Sequence, residues 1–102
     1  MKNMVLIGMP GAGKSSLGVI LAKTLNMPFV DTDLMIQEKE NKLLQEIIEE
    51  KGLEKFLSIE AEAILDLNAQ GSVIATGGSA IFRREAMEHL KANGVIIYLK
   101  LP

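Results

Sequence analysis

A glycine-rich segment near the start of the sequence carries the residues best suited to chemistry. Residues 8–15 read Gly-Met-Pro-Gly-Ala-Gly-Lys-Ser, after an apolar run at residues 4–7 and before a helical pattern over residues 14–25. This order matches the phosphate-binding loop G-x-x-x-x-G-K-[ST], which lies between a strand and a helix. The segment therefore predicts a nucleoside triphosphate site, and a glycine-rich turn without a ligand is the weaker interpretation.

Each residue type in this loop has a physical role in holding phosphate. Glycines permit backbone angles that a Cβ forbids, so that successive N–H groups can turn towards an anion. The helix that follows adds unpaired N–H groups and the positive end of its dipole. We expect the nucleotide-binding residues to be Gly11, Ala12, Gly13, Lys14, Ser15 and Ser16. Within this set, Lys14 contacts the outer phosphates and acts in catalysis, and Ser15 binds Mg²⁺.

Two aspartates, Asp31 and Asp33, follow the short apolar pair Phe29-Val30. At this spacing one carboxylate can bind a Mg²⁺-bound water, while the other accepts hydrogen bonds from a substrate hydroxyl. The alternative is structural, with Thr32 or Asp33 capping the helix that follows and the remaining charge solvated. Because the pair follows a predicted strand in a chain with a phosphate loop, we favour the functional interpretation.

The elements that must position these residues alternate between strand and helix patterns. Strands are predicted at residues 4–7, 29–30, 72–76 and 95–99, and helices at residues 14–25, 34–70 with breaks near Asn41 and Gly52, and 83–93. This alternation predicts an α/β fold with a parallel sheet. Ligands bind such sheets beyond the carboxyl ends of the strands. The phosphate loop, the aspartates and the turn at residues 77–79 should therefore gather at one edge.

Apolar spacing also predicts which faces are buried and where helices end. The expected buried stripe of the first helix consists of Leu17, Ile20, Leu21 and Leu25. The expected apolar face after Asn41 consists of Leu43, Leu44, Ile47 and Ile48. We expect the following helix to end near Gly71, and the last helix to be capped by Gly94.

Composition bounds the class of protein. The 102 residues fit one domain, residues 1–102, and the 48% hydrophobic but 4% aromatic content predicts an aliphatic core. A net charge of −2 argues against broad attraction to nucleic acid. No apolar run approaches the roughly 18 residues that cross a bilayer, and no cysteine or signal-peptide pattern is present. We expect a soluble, cytoplasmic protein without nucleic-acid or membrane partners.

Several spaced motifs together resemble those of shikimate kinases, which are small P-loop kinases of the nucleoside monophosphate kinase type. The motifs are the phosphate loop, Phe29-Val30-Asp31-Thr32-Asp33, Phe56-x-x-x-Glu60 and Val73-Ile74-Ala75-Thr76-Gly77-Gly78. The resemblance implies a three-layer P-loop kinase fold with strand order 2-3-1-4, and phosphorylation of a hydroxyl of shikimate by ATP with Mg²⁺. It implies that Asp31 helps to bind Mg²⁺ and acts in catalysis. The substrate-binding residues that it implies are Asp33, Glu60, Gly77, Gly78 and Ser79.

Two residues depart from the family pattern. Where the family has F-R-x-x-E, this sequence has Leu57, which cannot make the two-pronged charged hydrogen bonds that arginine offers a carboxylate. Ser79 replaces the third glycine of the turn and restricts its backbone. Arg83 or Arg84 can supply the lost charge, or both can be solvated at a helix start. Three hypotheses stay open: a shikimate kinase, a kinase for a hydroxylated substrate without a carboxylate, and a nucleotide-binding module without catalysis.

The family pattern also continues beyond the fourth strand, with an arginine-bearing lid and a fifth strand. We therefore expect a fragment or a natural short form that binds nucleotide but shows little or no kinase turnover. Without a fifth strand, residues 95–99 form an apolar edge with no charge before Lys100, which favours pairing with another copy of the chain. His89, which has no second metal ligand nearby in the sequence, is expected at the surface or at its boundary.

Overall fold

The computed structural model describes residues 2–8, 14–77 and 83–99, with the backbone alone for Lys14 and Ser15. Within these ranges the strands are β1 Asn3–Gly8, β2 Phe29–Asp31, β3 Val73–Ala75 and β4 Gly94–Leu99. The helices there are α1 Lys14–Leu25, α2 Thr32–Glu40, α3 Leu44–Lys51, α4 Leu53–Leu65 and α5 Arg84–Ala92. The predicted alternation, with breaks at Asn41 and Gly52, is confirmed. None of these helices is both long and apolar enough to cross a membrane.

The four strands form one sheet in the order β2-β3-β1-β4, and every pairing is parallel. All six residues of β1 pair in register with the six residues of β4. The three residues of β3 pair with β2 on one side and with β1 on the other, so that Ala75 lies between Asp31 and Leu6. The predicted strand order 2-3-1-4 is confirmed, and the carboxyl ends of all four strands lie at the same edge.

The helices cover both faces of the sheet because successive strand residues point to opposite sides. On one face the core consists of Val5, Ile7, Ile64, Ile74, Ala86, Met87 and Leu90, which joins the sheet to α4 and α5. On the other face Leu6 and Val73 pack with Ala22 of α1. A further cluster of Ile36, Ile47 and Phe56 joins α2, α3 and α4. The first two clusters, one on each face of the sheet, make the three-layer arrangement that the family resemblance implied.

The face of α1 that packs on the sheet differs from the predicted stripe. Leu17, Ile20 and Leu25 are 37%, 60% and 44% exposed, so their predicted burial is wrong. Gly18 and Ala22 are buried instead, and Leu21 packs beside them. A methyl group added to Gly18 would overlap the ring of Phe29. Small residues occupy the buried face of α1 because they let the helix approach the sheet closely, and the Phe29 ring packs against Gly18.

Two predicted helix ends and one residue of a predicted apolar face are also corrected. The helix expected to reach Gly71 ends at Leu65, with Asp66 at its cap, and the loop that follows uses Gly71 at φ +59°. Leu43 precedes α3 and is 62% exposed, with its N–H donated to Glu46 Oε1 at 3.2 Å. Gly94 begins β4 instead of capping α5, which has Asn93 at its cap. A Cβ on residue 94 would lie 2.7 Å from the Leu90 carbonyl oxygen. Glycine is therefore required here by the close contact with Leu90, and not by a left-handed backbone angle.

Candidate functional site

The carboxyl edge of the sheet contains the end of β1 and the beginning of α1. β1 ends at Gly8, where an added methyl group would overlap the carbonyl oxygen of Leu99, so glycine permits the close approach of β4. The first turn of α1 contains no acidic residue, and the positive end of its dipole is therefore not offset locally. Of the predicted nucleotide-binding residues, Gly11, Ala12 and Gly13 lie outside the described residues, as do the side chains of Lys14 and Ser15. Ser16 is exposed in the first turn.

Asp31 ends β2 and caps α2. Its Oδ1 accepts hydrogen bonds from the backbone N–H groups of Asp33 at 3.0 Å and Leu34 at 3.2 Å. The predicted capping by Thr32 or Asp33 is wrong, because these residues already lie inside the helix. A cap needs an extended backbone just before the helix, which Asp31 has at φ −115° and ψ 112°. The bonds hold the half-buried Asp31 carboxylate at the carboxyl edge of the sheet.

Asp33, Glu60 and Gly77 meet beyond the end of β3. Glu60 projects from α4 and is only 2% exposed, although carboxylates are rarely fully buried. A methyl group added to Gly77 would overlap Glu60 Oε2 and lie 3.2 Å from Asp33 Oδ1. Three elements distant in sequence thus bring two carboxylates to one turn. The other predicted residues of this turn, Gly78 and Ser79, lie outside the described residues.

This pair of carboxylates has a defined chemical preference. Carboxyl oxygens accept hydrogen bonds, so two carboxyl groups beside one turn suit a ligand with several hydroxyl donors. Because Glu60 is buried, a hydrogen bond to it acts in a lower effective dielectric than one at the surface. The arrangement can therefore orient a polyhydroxylated small molecule at the edge of the sheet where α1 begins.

Two buried threonines, Thr32 and Thr76, connect these segments, although no functional role was predicted for either. Thr32 is 0% exposed and donates from Oγ1 to the carbonyl oxygen of Ala75 at 3.3 Å. Thr76 is 2% exposed, and its N–H and Oγ1 lie 3.2 and 3.4 Å from the carbonyl oxygen of Leu6. Their positions in the sequence could have indicated a role, because each is adjacent to a predicted site residue near the end of a strand.

The structure also shows the surroundings of the residues that depart from the family pattern or were proposed to compensate for it. Leu57 is half-buried against the cluster of Ile36, Ile47 and Phe56. The Arg84 side chain is 89% exposed, and its Nε lies 3.1 Å from Glu88 Oε1 on the same helix. Arg83 is half-buried at the cap position of α5. His89 is half-buried at the boundary, as predicted, with Nε2 2.8 Å from the carbonyl oxygen of Leu67.

The donor set fits a magnesium nucleotide better than a metal bound by protein alone. In the described part of the chain no three His, Cys, Asp or Glu side chains surround a common metal position. Protein Mg²⁺ sites usually combine one or two carboxylates with waters and substrate phosphates. Asp31 supplies a carboxylate at the edge of the sheet where α1, with its favourable dipole, begins.

Known proteins are similar to this chain in sequence and in fold. A sequence model of the family "Shikimate kinase" matches residues 10–102. The shikimate kinase of Bacillus mycoides is 40% identical over 99 residues, which are 97% of this chain and 60% of that protein. Threonine synthase-like 1 of Homo sapiens is 42% identical over 102 residues, covering 99% of this chain and 14% of that protein.

Among solved structures, shikimate kinase from Acinetobacter baumannii in complex with shikimate superposes with a TM-score of 0.94 at 35% identity. The match covers 100% of this chain and 57% of that one. The chain thus spans about 60% of the length of the curated shikimate kinases that it matches. On the match over residues 10–102, supported by this superposition, the chain belongs to the shikimate kinase family.

Proposed function

We propose that the chain is the core of a kinase that transfers a phosphoryl group from ATP to a hydroxyl of a small molecule, with shikimate as the first candidate. The observation that carries the proposal is the meeting of Asp33, Glu60 and Gly77 at the edge of the sheet where α1 begins. A kinase needs both a phosphate site and an adjacent hydroxyl site. Family membership supports the same conclusion.

The nucleotide end of the site is formed by the loop between β1 and α1. Residues 11–16 and the start of α1 hold the phosphates, and the Lys14 ammonium contacts the outer ones. Ser15 and Asp31 would hold Mg²⁺. When bound, Mg²⁺ neutralises charge that develops on the transferred phosphoryl group. Phosphoryl transfer requires mainly positioning and electrostatic stabilisation, so rigid placement of these groups is the main contribution of the chain.

The substrate end is formed by the turn after β3. Asp33 and Glu60 would accept hydrogen bonds from substrate hydroxyls beside Gly77, and Gly78 and Ser79 would contribute to binding the same substrate. The attacking hydroxyl oxygen would form a bond to the γ-phosphorus as the bond between that phosphorus and ADP breaks, and the Asp31 carboxylate would accept the hydroxyl proton. A substrate with several hydroxyls can donate hydrogen bonds to both carboxyl groups at once.

A second candidate is a kinase for a hydroxylated substrate that has no carboxylate. It is favoured by Leu57, which packs in an apolar cluster at the position where the family pattern has an arginine. An apolar side chain offers no compensation for desolvating a substrate carboxylate. We therefore expect shikimate to bind weakly, and Leu57→Arg to strengthen its binding. Strong binding of shikimate to the unaltered chain would instead implicate another cation, with Arg83 and Arg84 tested first.

The nucleotide site is tested by calorimetry with ADP and Mg²⁺. Lys14→Ala removes a charge-assisted hydrogen bond, worth about 1.5–3 kcal/mol, and should reduce the affinity at least severalfold. Lys23→Ala is the matched control, since it removes an exposed lysine from the last turn of the same helix. Equal affinity of a folded Lys14→Ala variant and the unaltered chain would refute the phosphate-loop assignment.

Turnover separates the substrate hypotheses. Release of ADP is measured with shikimate and with a panel of hydroxylated compounds that lack its carboxylate, for the unaltered chain and for Leu57→Arg. Shikimate-dependent release supports the first proposal, and release with only the uncharged compounds supports the second. Tight nucleotide binding without release for any substrate would indicate a nucleotide-binding module.

A further inference from the structure

Two of the strands are short, so the hydrogen bonds between strands cannot by themselves fix the positions of the residues at the carboxyl edge of the sheet. β2 and β3 contain three residues each, and their pairing stops at Asp31 and Ala75. The candidate site residues begin where this pairing stops, so the backbone bonds of the strands do not extend to Asp33 or Gly77. Other contacts must hold these residues in place.

The two buried threonines provide a continuous connection across this edge. Thr32, inside the first turn of α2, donates to Ala75, the last residue of β3. The next residue, Thr76, donates twice to Leu6 of β1, two residues before the strand ends. The connection runs from the segment that contains Asp31 and Asp33, through the residue before Gly77, to the strand that leads into the phosphate loop.

The hydroxyls at these positions need an explanation. At a fully buried site valine has the same shape and is favoured by the hydrophobic effect, whereas a buried hydroxyl costs free energy unless it is hydrogen-bonded. Threonine in a helix usually returns its hydroxyl to a carbonyl three or four residues earlier. Thr24 does this, donating to Ile20 at 2.8 Å on the exposed side of α1. Thr32 is the first residue of α2 and has no helical carbonyl three or four residues before it, and its hydroxyl bonds a residue 43 positions away.

We propose that Thr32 and Thr76 are positioning residues that fix the Asp31–Asp33 segment and the Gly77 turn to β1, and that they thereby couple ligand binding at the phosphate loop to ligand binding at the two carboxylates. Coupling between two sites requires a structural element whose conformation is affected by ligand binding at each of them. The hydrogen bonds of the two threonine hydroxyls form such an element. The coupling, although not the positioning, rests on the proposed function.

Positioning is tested without any ligand by amide hydrogen exchange. Thr32→Val should raise the exchange rate of the Thr76 N–H, which bonds Leu6, by about threefold to tenfold, the range expected for one neutral hydrogen bond. The Met4 N–H, which bonds Ser72 at the opposite end of the same strands, should keep its rate. Thr32→Ser should behave like the unaltered chain, and so should Thr24→Val.

A uniform rise at both reporters would indicate general destabilisation and overturn the proposal, as would identical rates in Thr32→Val and Thr32→Ser. If Thr32→Val does not fold, Thr76→Val replaces it, because the backbone bond to Leu6 remains. The reporters for that variant are the Asp33 and Leu34 amides, which bond Asp31. Faster exchange at these two amides with Met4 unchanged is expected, and unchanged rates refute the proposal.

Coupling is measured by titrating shikimate calorimetrically with and without saturating ADP and Mg²⁺. The ratio of the two affinities should move towards one in Thr32→Val. In Thr32→Ser it should equal the ratio found for the unaltered chain. A ratio that is the same in all variants overturns the coupling. If the unaltered chain binds neither probe, the proposed function fails and the coupling fails with it, whereas the exchange experiment still decides the positioning role.

Discussion

Gly77 is the residue at which the two acidic side chains of the site meet. Its small size, not an unusual backbone angle, matters here, since an added methyl group would overlap Glu60 Oε2 and lie 3.2 Å from Asp33 Oδ1. The position shows how a glycine that sequence places in a turn motif acts as a spacer between side chains from two helices. Its replacement should therefore affect both packing and ligand binding.

We predict that Gly77→Ala lowers the stability of the chain and weakens substrate binding. Overpacking of a filled site costs about 1–3 kcal/mol of folding stability. Because the added methyl group displaces the two carboxyl groups proposed to accept the substrate hydroxyls, the affinity for shikimate, or for the preferred hydroxylated substrate, should also fall. Affinity for ADP with Mg²⁺ should change little. Thermal unfolding and calorimetry measure the two effects.

Glu60→Asp provides the rescue for this substitution, because it withdraws the carboxylate by one methylene. Combined with Gly77→Ala, it should recover part of the lost thermal stability. Absence of any recovery would show that the methyl group is accommodated in some other way.

At the level of elements, α1 packs on the sheet through a contact between Gly18 and Phe29. Two effects oppose each other when Gly18 becomes alanine. Alanine is favoured over glycine in a helix by about 1 kcal/mol, whereas overlap with a ring held in the interface costs about 1–3 kcal/mol. We expect the overlap to dominate.

Gly18→Ala should accordingly reduce the midpoint of chemical unfolding. In a chain that already carries Phe29→Leu, the same substitution should be neutral or stabilising, since the ring is gone and the helix preference remains. Stabilisation by Gly18→Ala in the unaltered background would show that α1 moves away from β2 without penalty.

Two ion pairs join α3 to the end of α2 and to the turn that contains Asn41. Lys51 Nζ lies 2.7 Å from Glu40 Oε1, and Lys42 pairs with Glu50. The hydrogen bond from Lys51 lowers the pKa of Glu40 below its usual 4.5, and the same bond raises the pKa of Lys51 above its usual 10.5. Both shifts favour the charged pair in the folded chain.

The pair should therefore stabilise the fold only within a pH window. Its contribution is complete above the unfolded pKa of Glu40 and is lost as pH falls through the lower folded pKa. It is likewise complete below the unfolded pKa of Lys51 and is lost as pH rises through the higher folded pKa. Lys51→Met should lower the Tm slightly near neutral pH, and the difference should vanish in acid and in high salt. A difference that persists in acid would show that lost packing of the lysine stem, not charge, is responsible.

At the level of the whole molecule, β4 lies at the outside of the sheet in the described part of the chain. Val95 and Tyr98 are 52% and 55% exposed, and no residue of β4 is charged. Apolar edge strands pair readily with other chains, and lysine is a common means of preventing this. We propose that the 102-residue chain self-associates through this edge.

Val95→Lys should therefore reduce association, seen as a smaller average mass in light scattering at the same protein concentration. Ile20→Lys is the matched control, because it removes an apolar side chain that is 60% exposed on α1, away from the β4 edge. Equal effects of the two substitutions would indicate general hydrophobic association. A monomeric unaltered chain would refute the edge pairing.

The sequence by itself determined the order of elements and the position of the phosphate loop. These depend on near neighbours in the chain: apolar runs of strand length, glycines beside lysine and serine, and left-handed residues such as Asn26 and Asn41, which end α1 and α2. Strand order came from resemblance to a family, and the sheet confirms it. Asp33, Glu60 and Gly77 were grouped in the same way, before any contact among them was known.

Only the tertiary structure decided which surfaces meet. Periodicity placed Leu17, Ile20 and Leu25 on one stripe, but the sheet accepts Gly18 and Ala22, since burial depends on the shape of the partner surface. The threonine connection joins residues 43 and 70 positions apart, so no local pattern reveals it. Local spacing reports what a segment can form, whereas the packing of distant segments selects the face that is buried and the side chains that share a site.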